Sequence, residues 1–398
     1  MSVRRFGKFR IGLGLTALLF WPGCGGGDDA ADEGKTNNNA APLYTCEICE
    51  CLPDNSARPG PMYDIIEDVI DAIQGQGDPA NTYVGMMPKH FSGFFEVPKL
   101  GYIKAQSEIG FLGDYHYPPA REEPVETIVD DQLMWMDGWT NGGDTIPKAS
   151  VILLDSKSAA DLAAPINTAL DSGIPVVSWD SDTPDSSRPL HIGALNVPAG
   201  RAAGEKMLEL IGDNTTGKVL VFNGAEAESN MQERNQGITE AFAAAGREDQ
   251  LVNFWNTNQT NQVDEMDRAL ADYGSDFIGM HGTIGDFAGL AADWIVAQDA
   301  LTWDMKVVAW DANPPTLAAI EDGLVQGTMV QQAYFYGYMT AYIGYSMAAL
   351  GIDKTMDVLA PYLSAGNDGI LDTGMVILTP ENLADFKTYQ STCFGVTL

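Results

Sequence analysis

The chain has 398 residues, which is too long for one ordinary domain and predicts two. Apolar residues make up 45% of it and aromatic residues 9%, enough for packed cores. There are 22 Lys and Arg against 55 Asp and Glu, a formal charge of -33. A surface this acidic repels nucleic acid and anionic lipid, which disfavours both as partners, and general solubility explains the charge better than a dedicated cationic partner.

The N-terminus predicts an exported protein. Four basic residues precede the apolar run Ile11–Trp21, which is too short to span a bilayer but suits the core of a secretory signal. The run ends at Gly23-Cys24, and a small residue directly before such a cysteine resembles the lipobox of bacterial lipoproteins. We therefore expect a signal peptide over 1–23, acylation of Cys24, and a location in the periplasm or cell envelope on a lipid anchor. An uncleaved anchor is the alternative and gives the same topology.

A tether and a cysteine-containing extension follow. Gly25–Pro42 has no bulky apolar residue, so we expect 24–44 to be a flexible tether. Residues 45–80 form an extension in which Tyr63–Gln74 has the apolar spacing of an amphipathic helix. Four further cysteines are Cys46, Cys49 and Cys51, which form a cluster, and Cys393 near the other end of the chain. We expect them to form disulfides rather than a metal site, because no His lies near the cluster and the expected compartment is oxidising. The pairing is left open.

From Thr82 onward, short apolar runs alternate with helical patterns. Helices are predicted over Ala199–Ile211, Met231–Ala245 and Val263–Tyr273. Strands of four to six apolar residues, each followed by a helix, indicate parallel sheets covered on both faces, and there are too many for one small sheet. The predicted strands are YVGMM, VILLD, PVVSWD, LHIG, KVLVFNG, LVNFW, FIGMHG, KVVAWD and GTMVQQ.

Polar residues end several of these strands. The pair Trp-Asp recurs at Trp179-Asp180 and Trp310-Asp311, and a third strand ends at Gln331. Ligands of parallel sheets bind beyond the carboxyl ends of the strands. Carboxylates accept hydroxyl hydrogen bonds, amide and guanidinium groups donate them, and an indole face packs on a sugar ring. Each residue alone is as readily a turn or core residue, but together they indicate a site for a polyhydroxylated ligand.

Six stretches between Thr82 and Lys387 resemble the type I periplasmic substrate-binding proteins of sugar ABC transporters, in the ribose/galactose-binding superfamily. The PK...GFF start and the WDSD strand end are similar to the rhamnose- and autoinducer-2-type branch. The resemblance implies an α/β fold of two doubly wound parallel-sheet domains joined by three crossovers. The stretches are MPKHFSGFF, GIPVVSWDSDTPDSSRPLHIG, NMQERNQG, VVAWDANPP, GTMVQQAYFYGY and DTGMVILTPENL.

The resemblance also implies domain bounds and site residues. It places one domain at 81–195 plus 333–366 and the other at 196–332 plus 367–398, with crossovers near Leu195-Asn196, Gln332-Ala333 and 365–369. The ligand-binding residues it implies are Lys89, Ser92, Phe94, Phe95, Asp180, Asn230, Arg234, His281, Asp311 and Gln331.

Some of these positions carry alternatives. Lys89 is either a cleft residue or a solvated loop lysine, and His281, where the family often has Asn, is either a ligand contact or a structural histidine. Ser181 stands where many ribose and galactose binders have Arg. We expect Asp180 to point into the cleft and Asp182 to face its own turn and Arg188, although Arg188 has the alternative of binding a ligand.

The function implied by the resemblance is capture of a monosaccharide or similar polyol by hinge closure, followed by delivery to an ABC transporter permease. We expect a monomer without cofactor or metal. A sensor of the same fold that signals to a membrane receptor is the alternative, as is an autoinducer-2-like binder, which the residues around Asn230 disfavour. An enzyme is disfavoured because nucleophile, phosphate-loop and metal-protease motifs are absent from the sequence. A sugar-responsive repressor of the same fold is also disfavoured, because it would need an N-terminal helix-turn-helix where this chain has the predicted signal and tether.

Overall fold

The computed structural model describes residues 62–298, 304–363 and 369–394. The expected signal, Cys24, the tether and the cysteines at 46, 49 and 51 lie outside the described residues, so their pairing with Cys393 stays a prediction. Within the described ranges, no helix is long and apolar enough to cross a bilayer.

The first lobe is built on a six-stranded parallel sheet. Its strand order is β2-β1-β3-β4-β5-β11. The central strands β1, β3 and β4 are apolar and almost wholly buried, as expected of strands covered on both faces. The strands are β1 Tyr83–Met87, β2 Leu112–Tyr115, β3 Val151–Leu154, β4 Val176–Trp179, β5 Leu190–Gly193 and β11 Ile370–Asp372.

The second lobe repeats this plan with one antiparallel edge. Its order is β7-β6-β8-β9-β10-β12, and only β12 runs antiparallel to its neighbour. The strands are β6 Lys218–Phe222, β7 Leu251–Phe254, β8 Phe277–Gly282, β9 Lys306–Trp310, β10 Gly327–Gln331 and β12 Met375–Leu378.

Helices cover both faces of each sheet. The first lobe carries α1 Met62–Ile73, α2 Glu96–Ile109, α3 Val125–Asn141, α4 Ala159–Asp171, α10 Ala333–Leu350 and α11 Ile352–Leu359. The second carries α5 Asn196–Ile211, α6 Ser229–Ala244, α7 Gln259–Tyr273, α8 Phe287–Ala297, α9 Pro314–Glu321 and α12 Leu383–Phe394.

The predicted helix of the N-terminal extension is α1. Its apolar face, which includes Ile65, Ile66 and Val69, is buried in the same core as α10 and α11. This helix is therefore an integral layer of the first lobe.

Over its described residues, the chain passes from one sheet to the other three times. The first two changes, after β5 and after β10, lie where they were predicted. The third lies between Asp372 and Met375, so the predicted position at 365–369 is wrong. The reason is that Ile370–Asp372 pair in parallel with His191–Gly193 and thus extend the first sheet before the chain leaves it.

Candidate functional site

A cleft of about 450 Å³ lies between the carboxyl ends of the two sheets. This size falls in the range of small-molecule sites, roughly 300–1,000 Å³. Residues from both lobes line it, as the switch-point rule for parallel sheets predicts. Nine of the ten predicted site residues lie on its wall: Lys89, Ser92, Phe94, Phe95, Asp180, Asn230, Arg234, Asp311 and Gln331.

The two Trp-Asp strand ends have matching backbone geometry. Asp180 and Asp311 both adopt left-handed conformations, with φ of 55° and 63°. Each backbone N–H still donates to the neighbouring strand, Asp180 to Ile192 O at 3.1 Å and Asp311 to Met329 O at 2.7 Å. A left-handed non-glycine residue is strained, and such strain concentrates at functional sites because it aims a side chain. Here each lobe turns one carboxylate to the cleft.

In the first lobe, Lys89 is the fixed partner of Asp180. Its Nζ lies 2.9 Å from Asp180 Oδ2 and donates to Ser181 Oγ at 2.7 Å. Lys89 is 4% exposed, so the alternative of a solvated loop lysine is wrong. Burial alone would lower the pKa of Lys89, but the carboxylates of Asp180 and Glu228 raise it above its ordinary value. Lys89 is therefore always positively charged, and its ammonium group contacts both Asp180 and Ser181.

Asp155 braces this arrangement from beneath. Its two carboxylate oxygens accept the backbone N–H groups of Lys89, at 3.0 Å, and of Ser181, at 3.1 Å. Asp155 is fully buried, and burial raises its pKa well above the ordinary value. It joins the ends of β1 and β4 and so fixes the loops that carry Lys89 and Asp180.

In the second lobe, a chain of hydrogen bonds leads from Arg234 to Asp311. Arg234 Nη2 donates to Gln331 Oε1 at 3.0 Å, and Gln331 Nε2 donates to Asp311 Oδ1 at 2.8 Å. The guanidinium also lies 4.6 Å from the centre of the Trp310 ring, a cation–π contact. Desolvation raises the pKa of Asp311 to about 6, against the opposing effect of Arg234. Asp311 is thus the less well compensated of the two aspartates.

Five buried polar atoms on the wall have no hydrogen-bond partner among the described residues. They are Asp180 Oδ1, both amide atoms of Asn230, His90 Nδ1 and Arg121 Nη2, the last of which still forms an ion pair with Asp286. Asp180 is 4% exposed and Asn230 1%. A buried polar group without a partner is unfavourable by roughly 1–3 kcal/mol, so these atoms call for donors and acceptors supplied from the cleft.

Aromatic contact comes from phenylalanines. Phe94 and Phe95 line the cleft and meet edge to face, with ring centroids 5.1 Å apart. The expectation that an indole packs on the ligand is wrong, because Trp179 and Trp310 are not among the residues that line the cleft. Both belong to the hydrophobic cores behind the site.

His281 does not reach the cleft. It lies inside β8, pairs in register with Val221 and Val308, and is 1% exposed. Burial lowers its pKa to about 3, so it is neutral. Of its two alternatives, the structural histidine fits this position, and a ligand contact does not.

Asp182 faces its own turn, as predicted. Arg188 Nε donates to Asp182 Oδ1 at 2.5 Å, and Nη2 pairs with Asp182 Oδ2. Ser178 Oγ also donates to Asp182 Oδ1, at 2.8 Å. Burial alone would raise the pKa of Asp182, but neighbouring His191 and Arg188 lower it. Arg188 is therefore engaged with the turn, and Asp180 alone of the two carboxylates reaches the cleft.

Six charged residues on the cleft wall were not predicted: Arg121, Glu122, Glu123, Lys157, Glu228 and Asp286. Arg121 Nη2 lies 2.7 Å from Asp286 Oδ2, and Lys157 Nζ lies 2.6 Å from Glu228 Oε1. Each pair joins the first lobe to the second. Lys157 lies three residues after the end of β3, and this position is a weak sequence signal for a cleft residue. The sequence around it does not indicate that its partner lies in the other lobe.

Comparison with known proteins gives one family. The profile described as periplasmic binding protein domain matches residues 84–352. A ribose import binding protein, RbsB, of Haemophilus influenzae is 23% identical over 193 residues, which are 48% of this chain. The matched part covers 64% of that relative's length, less than two thirds.

Solved structures share the fold. An ABC transporter solute binding protein from Burkholderia graminis, in complex with D-arabinose, is 22% identical with a TM-score of 0.61, over 77% of this chain and 98% of that one. An ABC transporter solute binding protein from Bacillus halodurans, with bound myo-inositol, is 15% identical with a TM-score of 0.62, over 79% and 99%. At such identities the likeness shows the two-lobed architecture.

Proposed function

This chain belongs to the periplasmic binding protein domain family, and on that premise we propose that it captures a monosaccharide or similar polyol between its lobes. The relatives whose names mention ribose, D-arabinose and myo-inositol favour a ligand of this size and hydroxyl density. In the proposed complex, the nine predicted residues on the cleft wall hold the ligand, and closure about the three crossovers excludes water from the polar contacts.

The observation that carries the proposal is the set of open polar atoms. Asp180 Oδ1 accepts a hydroxyl, and the amide of Asn230 both donates and accepts. Asp311, from the opposite lobe, offers a second carboxylate, while Phe94 and Phe95 give the apolar face that the C–H side of a sugar ring requires. A ring bearing several hydroxyls meets all of these at once.

Thermal denaturation and calorimetry of the protein with D-ribose, D-arabinose, myo-inositol, hexoses and deoxyhexoses would test binding. A ligand at a hundred times its Kd stabilises the folded state by about 2.7 kcal/mol. Asp180→Asn should abolish the shift, and Asp185→Asn, at an exposed position on the same turn, should keep it. Absence of a shift with every compound counts against the proposal.

Delivery to an ABC importer and lipid anchoring at Cys24 complete the proposed role. Anchoring is expected from the apolar run and Gly23-Cys24. Expression in a bacterial host with a radiolabelled fatty acid should label the wild-type chain and leave Cys24→Ala unlabelled. Equal labelling of both chains speaks against acylation at this cysteine. Reconstitution with the permease, in which uptake requires both proteins, tests delivery.

A further inference from the structure

Glu228 is a buried carboxylate that the sugar contacts do not explain. It lies between β6 and α6 in the second lobe and is 4% exposed. Its Oε1 accepts from Lys157 Nζ at 2.6 Å, and its Oε2 lies 3.3 Å from Lys89 Nζ. Both lysines follow strands of the first lobe. One carboxylate therefore joins two ammonium groups across the cleft.

The cluster is balanced in charge. Lys89 also pairs with Asp180, so two ammonium groups face two carboxylates. Burial alone would raise the pKa of Glu228, but Lys89 and Lys157 hold it well below the ordinary value. Removing one member of such a buried cluster leaves an uncompensated charge, which is far less favourable than the complete set.

The guanidinium groups on the wall also have protein partners. Arg121 Nη2 lies 2.7 Å from Asp286 Oδ2 in an ion pair between the lobes, although this contact lacks hydrogen-bond geometry. Arg234 donates at 2.9–3.0 Å to three acceptors, Asn196 Oδ1, Thr283 O and Gln331 Oε1. Meanwhile Asp180 Oδ1 is open. A hydroxyl can donate to that oxygen, whereas a ligand carboxylate or phosphate would meet carboxylates whose neighbouring cations are already paired.

From this geometry we propose that Glu228 is the specificity-determining counter-ion of the cleft: it takes the position that a ligand's anionic group would need between Lys89 and Lys157, and so selects uncharged ligands over their acidic counterparts. It acts as a positioning residue for Lys89, and through Lys89 for Asp180. The selectivity rests on the proposed sugar-binding function, while the counter-ion itself is testable without any ligand.

The ligand-free test is lysine acetylation followed by peptide mass spectrometry. In the wild type, Lys157, which is 2% exposed, should react much more slowly than Lys104, whose side chain is 45% exposed. Glu228→Gln should raise the reactivity of Lys157 at least tenfold, and Glu226→Gln, an exposed change in the same loop, should not. Equal reactivity of Lys157 in the wild type and Glu228→Gln, or of Lys157 and Lys104 in the wild type, overturns the proposal.

The selectivity test compares D-glucose with D-glucuronate and D-galactose with D-galacturonate by calorimetry. Wild type should prefer the neutral member of a bound pair, and Glu228→Gln should narrow that preference at least tenfold, about 1.4 kcal/mol. The double variant Lys157→Gln/Glu228→Gln removes one charge of each sign and should restore the preference. A ratio that is unchanged in Glu228→Gln, or that stays narrowed in the double variant, overturns charge selectivity.

These tests separate the two claims. If no carbohydrate binds the wild type, the proposed function fails, and the acetylation experiment alone decides whether Glu228 pairs with Lys157. If Glu228→Gln does not fold, Glu228→Asp, which keeps the charge but shortens the side chain by one methylene, replaces it in the acetylation experiment. Lys157 is again the reporter and should react faster than in the wild type, because its 2.6 Å contact with the carboxylate is lost, and equal rates overturn the proposal.

Discussion

Asp311→Asn should raise the free energy of unfolding at neutral pH and lower the affinity of the protein for a polyol. The folded state raises the pKa of Asp311 from 3.8 to about 6 because its carboxylate is poorly solvated. Asparagine keeps an oxygen that accepts from Gln331 Nε2, the contact seen at 2.8 Å, and carries no charge. The variant therefore removes an unfavourable ionisation without removing the hydrogen bond.

The magnitude follows from proton linkage. A rise of about two pH units at roughly 1.4 kcal/mol each makes ionised Asp311 unfavourable by about 3 kcal/mol. Because the folded pKa is the higher one, the contribution of the neutral group is complete below pH 3.8 and is lost as the pH rises through about 6. Relative to wild type, Asp311→Asn should gain about 2 kcal/mol between pH 4.5 and 7.5, nearly all of it below pH 6.5.

Urea unfolding at pH 4.5, 5.5, 6.5 and 7.5, followed by tryptophan fluorescence, measures this gain. Asp213→Asn, at an exposed position, corrects for the loss of one carboxylate from an acidic surface. The reasoning is refuted if Asp311→Asn is less stable than wild type at pH 7.5, or if the difference between them does not change with pH.

Four further variants have defined outcomes. Asp180→Asn should weaken polyol binding at least a hundredfold by calorimetry, because it removes the charge that pairs with Lys89 and replaces one of the two acceptor oxygens with a donor. Gly285→Ala places a Cβ 2.5 Å from Asp311 Oδ2 and should weaken binding tenfold or more with little loss of stability. His281→Gln should leave affinity unchanged, since His281 lies off the cleft wall, and a tenfold loss would restore it as a contact. Ile66→Ala, at a position 3% exposed, should lower the free energy of unfolding by about 2–4 kcal/mol without affecting affinity.

The outcomes that contradict these expectations are distinct. If Asp180→Asn binds with wild-type affinity, the ligand site does not include the end of β4. If Gly285→Ala binds with wild-type affinity, the Asp311 carboxylate does not contact the ligand. Unchanged stability in Ile66→Ala would show that α1 is not part of the first-lobe core. Asp185→Asn and Glu226→Gln, at exposed positions, are the controls for the binding measurements and should bind with wild-type affinity.

The buried strands could be predicted because they are continuous apolar runs. Val151–Leu154 and Val176–Trp179 are buried at every position. Three edge strands were missed, and they are short or half exposed: Leu112–Tyr115 alternates exposed and intermediate residues, and Ile370–Asp372 has only three residues. Short, half-exposed edges carry too little apolar signal to separate from loops. The third crossover was misplaced for the same reason.

The two aspartates of the cleft wall could also be predicted, because their place at the ends of parallel strands brings them to the same edge of each sheet. Asp180 and Asp311 follow apolar runs directly, and β-sheet geometry brings them to the same cleft. Glu228 and Lys157 could not be predicted as partners, since their contact depends on the distance between two lobes. Local pattern reports burial and turns; it does not report contacts across a hinge.

The two aspartates share a backbone conformation but differ in compensation, and this difference divides their roles. Asp180 has an ammonium group 2.9 Å from one oxygen, whereas Asp311 meets an amide at 2.8 Å and its cation only through that amide. Lys89 also contacts Glu228 of the other lobe, so the charge balance around Asp180 depends on contact between the two lobes. Asp311, by contrast, is held within its own lobe and keeps a raised pKa. Contact between the lobes therefore completes the charge balance around the first-lobe carboxylate, whose Oδ1 still has no donor among the described residues. The second-lobe carboxylate reaches its cation only through an amide, so a ligand hydroxyl that donates to it adds to a weaker set of partners.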